Sequence, residues 1–282
     1  MRRISPRVFV ETEYEGATFS AIKTSRGFVL VDCPYKPESC LEFASRLRRI
    51  SPREVALVVL TDHHFDHVST AGFFGAGIVI NERSAPDFEI QRSDSRRRTR
   101  TVRRHGGPLA QVIAAMELPR PRIVFSDRVS FDMGDLTVRV IRVGGHTPGT
   151  SVVFVPEERI VFCGDTLVNG ALPYLGQGNF REWAAALRLL LAMEADLFVP
   201  GHGEPCDQGL LRALLRSIGS LEAGAARLAE DVRSKRVPAR AGEKLLSYFP
   251  RSRAWPSPSR EARIEAVSRM YAEITGKKLP GP

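Results

Sequence analysis

An apolar run at residues 55–60 passes directly into a segment that is rich in metal-ligand side chains. A continuous apolar run of this length is typical of a strand that is buried on both faces. The segment after it carries five ligand-type side chains within six positions: Asp62, His63, His64, Asp66 and His67. Imidazole and carboxylate groups are both good ligands for zinc and similar divalent metals. The sequence therefore predicts a core strand whose end holds a metal.

The distribution of the remaining histidines supports this interpretation. The chain has six histidines, and only His105 lies outside such a setting. His146 lies in Gly144-Gly145-His146-Thr147-Pro148-Gly149, and His202 lies in Pro200-Gly201-His202-Gly203. A single histidine is more often an ordinary core or surface residue than a ligand. Five of six in three loops at strand ends favour a shared metal site.

Length and composition indicate a globular protein without an obvious nucleic-acid site. The 282 residues are 43% hydrophobic and 26% charged, which allows one large domain or two small ones. The net charge of +9 is concentrated in seven arginines between residues 92 and 104. These arginines lack the interleaved aromatic residues of a platform for stacking bases. We therefore interpret them as a solvated surface insertion, and nucleic acid is not an expected partner.

Cysteine spacing and the N-terminal segment exclude several other classes. The four cysteines form no C-x-x-C pair, which argues against a zinc ribbon or a redox motif. The first residues are basic but run into acidic positions without a sustained apolar stretch. No signal peptide or membrane span is expected, and the cytoplasm is the expected location.

Hydrophobic periodicity predicts an α/β layer fold built from two strand-rich halves. Strands are expected at residues 8–10, 17–22, 27–31, 55–60, 77–80, 129–131, 136–143, 151–155, 160–163 and 197–199. Helices are expected at residues 37–50, 69–74, 180–193, 210–232, 241–248 and 259–275. The pattern corresponds to a sandwich of two sheets with helices outside.

Two segments fall outside this alternation. Residues 81–122 read as an Arg-rich insertion with a helical period only at 109–118, and either a lid beside the site or a plain helical excursion fits them. Residues 208–282 read as a helical extension packed on the same domain as residues 1–207. This extension could cover a sheet, contribute substrate contacts or mediate a homodimer.

Four motifs together resemble those of the metallo-β-lactamase-fold hydrolases. That family's motifs are Thr-His-x-His-x-Asp-His, Gly-His-Thr-Pro-Gly, Gly-Asp-Thr and a final Gly-His. Here they read Thr61-Asp62-His63-His64-Phe65-Asp66-His67, Gly145-His146-Thr147-Pro148-Gly149, Gly164-Asp165-Thr166 and Gly201-His202. The resemblance spans about residues 8–206. It implies an αββα four-layer sandwich with a dinuclear metal site at one edge, and the general pattern resembles lactonase and glyoxalase-II-like relatives.

The resemblance also implies a ligand set, with one departure from the family pattern. Site one would be Asp62, His64 and His146, site two would be Asp66, His67 and His202, and Asp165 would bridge the two metals. Asp62 stands where the family has histidine. Three alternatives follow: Asp62 binds metal, His63 replaces it, or site one is weak and one metal suffices. We favour the first, because a one-residue shift at a strand end reverses the direction of the side chain.

The function implied by the resemblance is hydrolysis of a small-molecule substrate. Two divalent ions, expected to be zinc, would supply a hydroxide that attacks an ester, lactone or thioester carbonyl. The harder Asp62 carboxylate would favour iron or manganese instead. Asp66 would orient the hydroxide and shuttle its proton. Tyr174 would hydrogen-bond the substrate carbonyl, although an ordinary surface or core tyrosine fits the sequence equally well.

Three other functions are compatible with the same motifs. A mononuclear-iron oxidoreductase similar to persulfide dioxygenases would use two histidines and one carboxylate, a set that Asp62 makes available. A nuclease is suggested only by the basic charge, and the extra motifs of nucleic-acid-cleaving relatives are missing from the sequence. A non-catalytic metal-binding protein would require decay of the site, yet six of the seven expected ligands match the family.

Overall fold

The computed structural model describes residues 1–94, 110–234 and 244–279, and these residues form two β-sheets flanked by helices. The first sheet comprises β1 Arg2–Arg3, β2 Val8–Glu11, β3 Phe19–Thr24, β4 Gly27–Val31, β5 Val55–Val59, β6 Gly77–Asn81 and β7 Ile123–Phe125. The second comprises β8 Arg128–Asp132, β9 Thr137–Arg142, β10 Ser151–Val155, β11 Ile160–Phe162 and β12 Leu197–Val199. The helices are α1 Pro37–Ile50, α2 Phe65–Val68, α3 Ala85–Ser93, α4 Ala110–Ala115, α5 Phe180–Leu191, α6 Gln208–Arg233 and α7 Arg260–Thr275.

The strands of the first sheet lie side by side in the order of the chain, and their pairing changes once, from antiparallel to parallel. Strands β1 to β4 pair antiparallel through short turns, whereas β4 to β7 pair parallel. Parallel neighbours need a crossover, and α1 supplies it between β4 and β5. Helix α1 begins at Pro37, where the missing N–H costs nothing, and it buries Cys40, Phe43 and Leu47 against the sheet.

The second sheet has the order β12-β11-β10-β9-β8 and is antiparallel except between β11 and β12. Helix α5 is the crossover of that parallel pair. Its buried face includes Trp183, Leu187 and Leu190, and Asn179 caps it by accepting a hydrogen bond from the Glu182 N–H at 2.8 Å.

Three apolar clusters define four layers. Valines from both sheets, such as Val59 and Val153, form the core between the sheets. Phe43 and Leu47 of α1 pack with Leu30 on the outer face of the first sheet. Residues of α5, α6 and α7 pack on the outer face of the second sheet. The αββα arrangement predicted from the sequence is therefore confirmed.

Several local expectations were wrong or are left open. The helix expected at residues 69–74 is replaced by α2 and a 3₁₀ turn at Ala71–Phe74, which ends where Gly75 adopts a left-handed φ of 62°. The strand expected at 17–22 is Phe19–Thr24. The helix expected at 241–248 is described only as a 3₁₀ turn, Lys244–Tyr248. Most of the arginine cluster lies outside the described residues, and the division at residue 207 stays a prediction.

Strand ends from both sheets meet at one edge of the sandwich. The carboxyl ends of β4 and β5 are adjacent in the first sheet, and those of β11 and β12 are adjacent in the second. The Ser151 N–H donates to the Thr61 carbonyl at 2.8 Å, which ties the second sheet to the first at this edge. Loops that follow these strands therefore converge. Within the described ranges, no helix has the length and apolar character that a membrane span requires.

Candidate metal centre

The first motif leaves β5 in an extended loop and then turns into α2. The Asp62 side chain fixes this loop, because its Oδ1 accepts a hydrogen bond from the His64 N–H at 2.8 Å. Helix α2 begins at Phe65, so Asp66 and His67 lie in a helical turn rather than in the loop expected from the sequence. Asp62 and His67 are completely buried, whereas Asp66 is half-buried.

Asp62, His64 and His146 form the first group of potential ligands. The His64 Nδ1 lies 2.9 Å from the Asp62 Oδ2 and 3.1 Å from the His146 Nε2. The third side of this triangle, from His146 Nε2 to Asp62 Oδ2, measures 3.5 Å. Ligand atoms of a tetrahedral zinc ion lie about 3.3–3.4 Å apart, given bond lengths of about 2.0–2.1 Å. The three atoms therefore have the spacing of one face of a metal coordination shell.

Asp66, His67 and His202 form the second group. The Asp66 Oδ2 lies 3.3 Å from the His202 Nε2, and the ligand atoms of all three residues lie within 4.8 Å of one another. Asp66 and His67 lie in α2, which follows β5 of the first sheet, whereas His202 follows β12 of the second sheet. The group thus depends on the contact between the two sheets.

Asp165 lies between the two groups. Its Oδ1 is 3.4 Å from the His67 Nε2 and 3.4 Å from the His202 Nε2. Its Oδ2 is 3.4 Å from the His146 Nε2. The turn Gly164–Thr166 that carries Asp165 packs tightly, since a Cβ at Gly164 would lie 2.6 Å from the Thr61 Oγ1. One carboxylate therefore presents one oxygen to each ligand group.

Three buried atoms of the candidate ligands have no hydrogen-bond partner among the described residues, namely His67 Nε2, Asp165 Oδ1 and His146 Nδ1, and the first two lie between the ligand groups. Buried polar atoms without partners are costly and therefore rare. His67 Nε2 and Asp165 Oδ1 face each other at 3.4 Å. A cation between them would satisfy both, so the residues fit a pair of divalent metal ions.

Imidazoles and carboxylates of the centre shift one another's pKa values. Burial lowers the pKa of His67, but the carboxylates of Asp32, Asp62 and Asp165 outweigh burial and raise this pKa well above its usual range. Burial likewise raises the pKa of Asp62, but the imidazoles of His67 and His64 outweigh it and hold this pKa well below the usual range. Imidazoles and carboxylates at these distances are electrostatically complementary, and protons would compete with metal for them.

Asp32 supports the centre and was missed in the sequence, where it reads only as the end of a strand before Pro34. Its Oδ2 lies 2.9 Å from the His67 Nδ1 and accepts the Thr61 hydroxyl at 2.7 Å. Its Oδ1 accepts the Thr61 N–H at 2.8 Å. A carboxylate on one ring nitrogen of a histidine leaves the other nitrogen for metal. The left-handed φ of 60° at Asp32, unusual for a residue other than glycine, is not visible in the sequence.

The His63 ring lies 4.9 Å from the His64 ring and directs its Nε2 toward Asp87 of α3. Its Nε2 lies 3.7 Å from the Asp87 Oδ2, and its carbonyl accepts a hydrogen bond from the Gln91 side chain. Among the described residues, the first ligand group contains Asp62 and not His63. This geometry favours Asp62 over His63 as the first ligand.

Tyr174 lies at the solvent-exposed edge of the centre. Its side chain is 64% exposed, and its ring is 5.7 Å from the His64 ring at an interplanar angle of 82°. The tyrosine folds over Gly176, where an added Cβ would come within 1.8 Å of the phenol oxygen. On the buried side, the Trp183 ring lies 5.6 Å from the His146 ring. Tyr174 is thus the exposed aromatic residue beside the first ligand group.

Comparison with known proteins identifies similar sequences and folds. A linear primary-alkylsulfatase from Pseudomonas sp. is 24% identical over 65% of this chain, and the chain spans 41% of that enzyme's length. A metallo-beta-lactamase type 2 from Elizabethkingia meningoseptica is 21% identical over 79% of this chain and 86% of its own. The structure of a metallo-beta-lactamase family protein from Thermus thermophilus superposes with a TM-score of 0.68 at 20% identity, covering 97% of this chain and 95% of the other.

The family assignment rests on more than half of the chain. Residues 17–202 match the model of the metallo-beta-lactamase superfamily, a range that contains both ligand groups and Asp165. The two-sheet architecture agrees with the structural neighbours. The chain therefore belongs to the metallo-beta-lactamase superfamily.

Proposed function

We propose that the protein is a metal-dependent hydrolase that cleaves an ester, lactone or thioester bond in a small-molecule substrate. The observation that carries this proposal is the position of Asp165, whose two oxygens face two separate groups of ligand atoms at 3.4 Å. Asp62, His64 and His146 would hold one divalent ion, and Asp66, His67 and His202 would hold the other.

When bound, two such ions supply Lewis acidity and lower the pKa of water toward neutrality. The chain's own residues would do the remaining work. The half-buried Asp66 carboxylate would accept the proton of the attacking water and deliver it to the leaving group. The Tyr174 hydroxyl would donate a hydrogen bond to the substrate carbonyl oxygen beside His64. The buried Asp32 would keep His67 oriented while charge develops.

Zinc is the metal that we propose for the pair of sites, with iron or manganese as the alternative. Each ligand group contains two imidazoles and one carboxylate, and Asp165 adds a shared carboxylate. Zinc accepts this set. The Asp62 carboxylate is harder and more negative than imidazole, which reduces Lewis acidity at the first site and improves its affinity for harder cations.

A mononuclear-iron oxidoreductase is the second candidate, because two imidazoles and one carboxylate with an open position suit non-haem iron. The two ligand groups joined by Asp165 favour the hydrolase. Similarity to an alkylsulfatase also makes a linear alkyl sulfate a reasonable substrate to test.

Metal content and hydrolysis should be measured on the same preparation. We expect about two zinc ions per chain by mass spectrometry, together with turnover of at least one member of a panel of lactone, aryl ester, thioester, β-lactam and alkyl sulfate substrates. An Asp165→Asn variant is the control, since it loses the carboxylate shared by both sites and should lose metal and turnover together. One iron per chain, oxygen uptake with a persulfide and no hydrolysis would reject the proposal.

A further inference from the structure

The segment between Asn169 and Asn179 carries Tyr174 to the metal centre, and both of its ends are attached to loops that bear candidate ligands. At the start, the Asn169 N–H donates to the His202 carbonyl at 2.9 Å. At the end, the Asn179 N–H donates to the carbonyl of Gly145, the neighbour of His146, at 2.7 Å. Between these ends, the Gln177 side chain hydrogen-bonds the His63 imidazole, and the backbone beside Tyr174 is held from another part of the chain.

Helix α7, which lies near the C-terminal end of the sequence, contacts this segment. The Arg269 guanidinium donates a hydrogen bond to the Gly176 carbonyl, a residue 93 positions earlier. Glu265, one turn before Arg269 in the same helix, lies 3.2 Å from the Arg269 Nε and orients the guanidinium. Leu175 is buried in the same apolar cluster as Met270 of α7.

Glu273 of α7 makes the second contact, at the start of α5. One of its carboxylate oxygens accepts the Phe180 N–H at 2.7 Å, and the other accepts the Arg181 N–H at 3.2 Å. The first N–H groups of a helix have no partner within that helix, and a carboxylate there also interacts favourably with the helix dipole. Glu273 therefore fixes the point at which the segment enters α5.

Gly176 connects these contacts to Tyr174. Its carbonyl is held by Arg269, and its Cα faces the Tyr174 phenol so closely that an added Cβ would lie 1.8 Å from the hydroxyl oxygen. A displacement of the Gly176 backbone therefore displaces the surface on which the tyrosine rests. Tyr174 is 64% exposed, so few other contacts oppose its movement.

We infer that Arg269 and Glu273 of α7 are positioning residues that hold Tyr174 beside His64 and thereby set the substrate specificity of the metal centre. The inference rests on the proposed function in one respect, namely that Tyr174 contacts the substrate. The inference assigns a role to the C-terminal helical segment. Helix α7 would support the backbone beside Tyr174, and none of its residues belongs to either ligand group.

The test compares Arg269→Met and Glu273→Met with Arg227→Met, a control at an exposed arginine of α6. Methionine keeps an unbranched stem of similar length and removes the hydrogen-bonding groups. We expect amide hydrogen exchange in residues 174–181 to accelerate at least about tenfold in both variants and to stay unchanged in the control. The metal content per chain should equal that of the unsubstituted protein. Arg269→Lys, which keeps a donor, should restore part of the protection.

Kinetics on an accepted substrate provide the second measurement. Both variants should raise KM by about tenfold with a smaller change in kcat, as expected when binding rather than chemistry is affected. In a Tyr174→Ala background, Arg269→Met should have no further effect on KM, because the two residues act through one contact. Exchange within about twofold of the unsubstituted protein would overturn the inference. Equally, loss of metal in both variants would show that α7 supports the ligands instead of Tyr174. The exchange measurement needs no substrate, so failure of the proposed hydrolase activity would leave this result interpretable.

Discussion

Position 62 shows how much of the chemistry depends on one side chain. The Asp62 carboxylate is completely buried. Its Oδ2 lies 2.9 Å from the His64 Nδ1 and 3.5 Å from the His146 Nε2 in the first ligand group. Compared with a neutral imidazole ligand, the carboxylate would add one negative charge to a metal-bearing centre. A less positive centre attracts anionic substrates less strongly.

The first prediction at this scale concerns Asp62→His. The variant should keep about two metal ions per chain, because imidazole is also a ligand, but it should change the preference between zinc and manganese by about tenfold or more. Metal competition followed by mass spectrometry measures this ratio. An unchanged ratio together with an unchanged hydrolysis rate would mean that position 62 does not contact metal.

The second residue-scale prediction concerns Asp32→Asn. The amide cannot accept hydrogen bonds through both of its terminal atoms, so His67 loses the carboxylate that orients its ring. Loss of such a supporting carboxylate typically weakens metal binding by about 10–100-fold. Titration with a chromogenic chelator measures the affinity. Asp135→Asn is the matched control, because Asp135 also accepts a backbone N–H, that of Ser25 at 2.7 Å, but lies outside both ligand groups. Equal affinities in the two variants would contradict the role of Asp32.

At the scale of elements, the seam between α6 and the 3₁₀ turn Lys244–Tyr248 depends on a close backbone approach. A Cβ at Gly224 of α6 would lie 2.1 Å from the Tyr248 carbonyl oxygen, whereas a Cβ at Gly219 of the same helix would meet open space. Both glycines lie in the interior of one helix, and neither has a left-handed φ. They differ chiefly in what surrounds them.

This difference predicts opposite effects of the same substitution. Gly219→Ala should stabilise the protein by up to about 1 kcal/mol, because alanine has the higher helix propensity. Gly224→Ala should destabilise it by about 1–3 kcal/mol, because the methyl group forces the turn away from the helix. Denaturant unfolding monitored by circular dichroism measures both values. A stabilised Gly224→Ala variant would contradict the close contact.

Some features of the site could be predicted from the sequence and others could not. The candidate ligands could be proposed from the sequence because each follows an apolar strand in a short motif, and Asp62, His64 and His146 lie together in one group that could hold a metal. Asp32 was not predictable, because its role depends on a left-handed backbone conformation and on adjacency to β5 in the sheet. The contact between Arg269 and Gly176 was equally hidden, since it joins residues 93 positions apart that share no motif.

The whole molecule brings together ligands from two sheets that meet at one edge. Asp66 and His67 follow the first sheet, whereas His146, Asp165 and His202 follow strands of the second. Metal held by these residues would connect the two sheets, as the hydrogen bond from the Ser151 N–H to the Thr61 carbonyl does, but through more groups. Metal that binds only the folded state stabilises it by mass action.

Metal removal should consequently lower the thermal stability of the whole protein. Metal at about 100 times its dissociation constant contributes about 2.7 kcal/mol, and chelation should lower the unfolding midpoint by about 5 °C or more. Differential scanning calorimetry with and without chelator measures the shift, and added zinc should reverse it. The Asp165→Asn variant should show a smaller shift. If chelation left the midpoint unchanged in a protein shown to contain metal, the ions would not connect the two sheets.

The order in which the ligands occur along the chain has a consequence for how the protein matures. The ligand groups extend from Asp62 to His202, and each group combines residues from both halves of the chain. Closing such long loops costs entropy that early local contacts do not repay. Complete coordination would require that the two sheets have docked, which we expect late in folding. Metal uptake by the newly synthesised chain would then act as a checkpoint, since a chain that stops before His202 lacks a complete second group.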